Sequence, residues 1–209
     1  MSAFSKAIFA EMLKQAEANI AAEHENLSKL DAATGDGDHG IAMSRTMKAI
    51  GVAVEEAADK SMGDMLKSVA MKVMTCDGGS TSPLLGSYFL GLASAATADE
   101  LTPEETAAVF QAGLDRFQKT SKAQLGDKTM LDALRPATEA LGEALTGNKS
   151  LGEAFSAAAE AATEGAEKTK AYVAKFGRAR TMGERAIGHY DPGAVSISHI
   201  FRGFAAAVS

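Results

Sequence analysis

Tryptophan is absent from this 209-residue chain, cysteine occurs once, tyrosine three times and proline four times. The lone Cys76 excludes an intramolecular disulfide framework and a thiolate zinc cluster, and it fits a reducing compartment. Positive charge is also scarce: 21 Lys and Arg stand against 27 Asp and Glu, a net charge of −6. Binding to a polyanion generally needs a basic face, so nucleic acid is not expected as a direct partner. No apolar run of about 20 residues occurs, and charges interrupt the N-terminal stretch early, so neither a membrane span nor a signal peptide is expected. These absences suit a cytoplasmic chain, and the length suits one domain over residues 1–209.

What is abundant is alanine, 42 of the 209 residues. Alanine is the best helix former, and with Val, Ile and Tyr sparse the expected class is all-α. Apolar residues at Phe4, Ile8, Met12, Ala16 and Ile20 draw one stripe along a helix from about Ser5 to Lys29. Ile41, Met47, Ile50 and Val54 mark a second helix to about Ala58, and Met62 to Val73 a third behind the Ser61 cap. Pro83 sits in the first turn of a fourth, and Thr102-Pro103-Glu104-Glu105 opens a fifth. A sixth carries Leu131, Leu134 and Leu141, with Pro136 expected to kink it or displace its start. The seventh is expected from Ser150 to about Lys175, and the eighth from Ala194 to Val208. Eight helices with short turns predict an up-and-down bundle.

In that topology the first, third, fifth and seventh connections emerge at one end. Those four hold the unusual residues: DAATGDGDHG (Asp31–Gly40), CDGGSTSP (Cys76–Pro83), SKAQLGDKTM (Ser121–Met130) and FGRARTMGERAIGHYDPG (Phe176–Gly193). The other three are plain turns. A functional end built from four loops is therefore expected.

Asp31, Asp36 and Asp38 place three carboxylates within eight residues, among glycines that allow tight turning. Such acids repel unless a cation sits among them, and hard oxygen ligands without sulfur or paired histidine suit Mg²⁺. The bland alternative is an Asx-turn linker that caps the next helix. The run from Gly78 to Pro83, with Gly79, Ser80 and Thr81 at its centre, sets amides and hydroxyls before a helix, where an anion is favoured. It is equally readable as a glycine-rich helix start, and it is not a Walker loop. Arg178, Arg180, Arg185 and His189 make the last loop cationic, fit to face phosphates or to pin the loop on acids. Gly126 to Met130 reads as a helix cap, with Met130 available to a base. His24, His199 and Cys76 read as structural.

Taken in order and spacing, DAATGDGDHG, GGSTSPLLG, GDKTMLDAL and GRARTMGERAIGHYDPGA resemble the L subunit, the ADP-binding subunit, of dihydroxyacetone kinase. The resemblance spans essentially the whole chain. It implies an eight-helix antiparallel barrel with Mg²⁺, in two positions, and ADP or ATP at one end. Asp31, Asp36 and Asp38 would be the metal ligands. His39, Gly40, Ile41 and Ala42 would meet the nucleotide, with Gly79, Ser80 and Thr81 at the phosphates, Met130 by the base, and Arg178, Asp191, Pro192 and Gly193 closing the site. It further implies a phosphotransferase active only with a K-type subunit that holds the ketose. Bound ADP recharged by a phosphotransferase-system phosphoprotein is the leading form. An ATP-exchanging subunit for a four-carbon ketose such as erythrulose, or a nucleotide-sensing coregulator of a transcription factor, are the alternatives. Ser82 stands where the family usually has glycine, and is expected to crowd the phosphate loop.

Overall fold

Four helix starts follow from local chemistry alone. Ser5, Ser61, Thr102 and Ser150 adopt extended backbone angles, and each side chain accepts from the amide three residues on, at Ile8, Asp64, Glu105 and Glu153. Thr102–Glu105 and Ser150–Glu153 are complete capping boxes, with Pro103 in the first helical position of the former. In the computed structural model, which describes residues 3–209, these caps open α1 (Lys6–Ala32), α3 (Met62–Met74), α5 (Pro103–Ser121) and α7 (Leu151–Lys168). The return helices are α2 (His39–Glu56), α4 (Thr81–Ala95), α6 (Leu131–Thr146) and α8 (Pro192–Ala207).

Each helix packs on the one before it, and α8 returns to α1, so the antiparallel helices close into a ring as expected. A two-residue antiparallel pairing of β1 (Phe4–Ser5) with β2 (Glu100–Leu101) ties the end where the capped helices begin. Beneath it Phe4, Phe9, Phe110, Phe155 and Phe204 pack with ring centroids 5.2 to 6.4 Å apart. Four of these rings are 0 to 1% exposed and Phe204 is 3%. Edge-on and tilted contacts of this kind add to the burial of large apolar area. No helix among the described residues is long and apolar enough to cross a membrane.

Three expectations need correction. The seventh helix stops at Lys168 rather than near Lys175, because the Thr169 hydroxyl turns back to the Ala166 carbonyl and accepts the Asp191 amide. A 3-10 turn, Thr169–Ala171, follows, and the chain then forms an arm whose irregular 3-10 turns run over Arg178–Ala186. Ile41 does not join the apolar stripe of α2: it is 50% exposed, and Met43, Met47 and Ile50 face the core instead. Of the two outcomes expected of Pro136, a kink or a displaced start, the second does not occur: α6 begins at Leu131 and continues through the proline.

Candidate functional site

Residues from all four unusual loops line one cavity of about 270 Å³. Its acidic side is built at the junction of α1 and α2. Asp31 lies in the last turn of α1, Asp38 immediately precedes α2, and one carboxylate oxygen from each of Asp31, Asp36 and Asp38 lies within 4.8 Å of the others. Gly37, at φ +79°, takes a turn that a side chain would strain. Gly40 lets α2 press onto α1, since a Cβ there would collide with the His24 carbonyl oxygen.

The cluster is wired to both neighbours. Asp31 Oδ2 accepts from the His39 amide at 3.2 Å, and His39 Nε2 meets Ser196 Oγ of α8 at 2.7 Å. Burial holds the imidazole below its ordinary pKa, against the opposing pull of Asp31 and Asp38. The Arg178 guanidinium reaches from the arm to Asp36 Oδ2 at 2.6 Å. The acids thus already engage a cation, and three hard oxygen donors with no sulfur among them fit Mg²⁺.

Opposite the acids the helix starts differ from those at the other end. Asp38, Ser80 and Met130 precede α2, α4 and α6, and none of their side chains caps its helix. Asp31 serves the first amide of α2, and Thr129 Oγ1 accepts from Leu131 at 3.2 Å. At α4 no side chain among the described residues caps the first turn, so its amides and the positive end of the helix dipole face the cavity. Ser82 is buried beneath this loop, and Gly78 absorbs the crowding expected of it: a Cβ on Gly78 would strike Ser82 Oγ and Thr46 Oγ1.

The C-terminal side is closed by Asp191, which caps α8 through the Ala194 amide at 2.7 Å. Burial pushes its carboxyl up to about 7. Met130 lies over Gly193, where a Cβ would sit 2.6 Å from Met130 Cγ. The cavity therefore offers metal-binding oxygens on one wall, anion-binding amides on another, and an apolar methionine at the side.

Of the residues expected at the site, Asp31, Asp36, Asp38, His39, Ala42, Gly79, Ser80, Thr81, Met130, Arg178, Asp191, Pro192 and Gly193 line this cavity. Gly40 and Ile41 do not: the first packs against α1, and the second faces solvent. Arg180, Arg185 and His189 are exposed and outside the lining. Gly78, which opens the expected phosphate run, also lines it, and Thr34, Lys128, Thr129, Phe176, Gly177 and Ala179 join the lining without having been assigned to the site. The one signal for Lys128 was its place in a loop read as a simple cap.

Residues 33–206 match the DAK2 domain family. The chain belongs to that family. Within it, the chain is 38% identical over 186 residues to the PEP-dependent dihydroxyacetone kinase, ADP-binding subunit DhaL, of Escherichia coli K12, covering 88% of this chain and 89% of that one. It is 35% identical over 175 residues to the PTS-dependent dihydroxyacetone kinase, ADP-binding subunit DhaL, of Lactococcus lactis, covering 84% and 83%. The DAK2 fold is also seen in the crystal structure of the dihydroxyacetone kinase from C. freundii in complex with AMP-PNP and Mg²⁺, at TM-score 0.72 and 25% identity. That match takes in 99% of this chain and spans about a third, 35%, of the C. freundii chain.

Proposed function

We propose that this chain, as one cytoplasmic domain over residues 1–209, is the nucleotide-bearing subunit of a two-component dihydroxyacetone kinase. It carries ADP with two Mg²⁺ ions, receives phosphate from a phosphotransferase-system phosphoprotein, and passes it to a hydroxyl of a short ketose held on a K-type subunit. It is active only with that partner. The observation that carries the reading is the meeting, in one cavity, of the Asp31–Asp36–Asp38 cluster and the uncapped start of α4. The relatives named as ADP-binding subunits, which this chain matches over most of their length, support the same assignment.

The three carboxylates would hold the metal, which when bound neutralises charge developing on a transferred phosphoryl group. Gly79, Ser80 and Thr81 would orient the phosphates through backbone amides, which need no reorganisation as charge moves. Met130 and Gly193 would flank the base, and Arg178 would hold the arm across the acids and exclude water. Phosphoryl transfer depends chiefly on positioning and electrostatics, so no protein nucleophile is required of this chain.

The test is to denature freshly purified chain and identify released nucleotide by ion-exchange chromatography. About one ADP per chain supports the resident-cofactor reading. An empty site that binds MgATP and turns over with a K-type subunit points to the exchanging form, and a chain that binds neither nucleotide overturns the proposal.

A further inference from the structure

Lys128 is the cavity residue with the most unusual surroundings. It is 3% exposed, and its backbone is left-handed at φ +59°, a conformation uncommon among non-glycine residues. Burial lowers its affinity for a proton, while Asp191 and Asp132 oppose that shift. Asp132 is itself buried and fixes the loop by accepting from the Gly126 amide at 2.6 Å and the Thr129 amide at 2.7 Å.

The ammonium makes contacts on both sides of a neck. The arm between α7 and α8 leaves at Thr169 and returns at Asp191, and its two strands are joined by Gly188 N to Lys170 O at 2.7 Å and Asp191 N to Thr169 Oγ1 at 2.9 Å. Lys128 Nζ donates to the Thr169 carbonyl at 2.6 Å, on the outgoing side, and to the His189 carbonyl, on the returning side. Farther out, Lys175 N donates to the Asp127 carbonyl at 3.1 Å and Lys175 Nζ meets the Asp127 carboxylate at 2.7 Å. The second attachment is exposed on the lysine side and screened, so the buried one dominates.

We infer that Lys128 is a positioning residue that pins the neck of the 170–190 arm to the 124–130 loop, and thereby sets Arg178 and Asp191 to Gly193 over the nucleotide cavity. The inference deepens the nucleotide reading and rests on it for the consequence, while the pin itself is a statement about the arm. Removing an ammonium shared between two carbonyls takes a charge-assisted bond from each side of the neck at once. Arg178 and the α8 start would then approach the nucleotide from a loosened loop.

Lys128→Met tests this, with two readouts: MgADP affinity by calorimetry, and amide exchange at Gly188 and Asp191 without nucleotide. The expected result is faster exchange at both amides, unchanged protection in α1 to α5, and MgADP binding weakened roughly 10- to 100-fold. Weaker binding with the arm amides unchanged would make Lys128 a direct phosphate ligand and overturn the pin. A loosened arm with unchanged affinity would overturn its role in positioning the site, and no change in either overturns both. If wild-type chain binds no MgADP, the nucleotide reading fails while the exchange comparison still decides the pin. Should Lys128→Met not fold, Lys128→Gln is read with the same two measurements: faster exchange at Gly188 and Asp191 with weakened MgADP binding is expected, and unchanged exchange at both amides overturns the pin.

Discussion

The two ends of the barrel are made from the same helices and solve opposite problems. At the closed end every helix start is satisfied by its own Ser or Thr cap, a strand pairing ties the loops, and five phenylalanines fill the interior. At the open end the α4 start keeps its amides uncapped, three carboxylates crowd within 4.8 Å, and a half-buried acid, Asp191, and a buried lysine, Lys128, line the cavity. Local self-sufficiency at one end supplies stability, so the other can hold groups that repel or lack partners until a ligand arrives. That division is expected where a folded scaffold must carry a strained or unsatisfied site.

The comparison yields graded tests. Phe110→Ala at the closed end should cost about 3–5 kcal/mol in urea unfolding through the lost aromatic cluster, and leave MgADP affinity of the folded chain unchanged. A large affinity loss would break the separation of the two ends. Asp36→Asn at the open end should do the reverse: stability held or raised as mutual repulsion falls, and phosphotransfer with a K-type partner down by ~100-fold or more. Activity that survives this change contradicts a metal-centred site.

Smaller effects sharpen the contrast between caps. Ser150→Ala removes a capping box and should lower stability by about 1 kcal/mol, while Ser80→Ala should cost only a few tenths and leave MgADP binding unchanged, since that hydroxyl caps nothing and the phosphates are met by the backbone amide. Equal stability losses would deny the asymmetry. The smallest effect lies in the wall between the ends, at His199. Burial lowers its pKa, Glu23 at 4.0 Å opposes and Arg202 adds to the lowering, so the fold favours the neutral ring. Stability from this source is complete above about pH 6.5 and falls as pH drops below it. His199→Gln should therefore flatten the stability profile on the acid side of pH 6.5 relative to wild type, read by thermal unfolding across pH.

The closed end was the more legible in sequence, because its information is local. A cap, an acid three residues later and an apolar stripe lie within one or two turns, and Ser61, Thr102 and Ser150 start helices where those patterns require. At the open end the unusual loops identified which residues meet, and 13 of the 15 expected residues line the cavity. What escaped depends on distant partners. Helix α7 ends early because Thr169 is held by Asp191, 22 residues on, and Lys128 passed as part of a helix cap because its carbonyl partners lie 41 and 61 residues away. Ile41 failed for a simpler reason: it begins a helix at its exposed edge, where spacing alone does not fix which face is buried.

The central claim, that the open end is an incomplete site completed by a magnesium nucleotide, is tested most directly by thermal unfolding with ADP, with and without Mg²⁺, in wild type and in Asp31→Asn/Asp36→Asn/Asp38→Asn. The account predicts a rise of roughly 5–10 °C for wild type at saturating ADP with Mg²⁺, little rise without the metal, and no rise in the triple variant despite an undiminished melting temperature of its own. A shift indifferent to Mg²⁺ and to the three substitutions, or no shift in the wild-type chain, would contradict it.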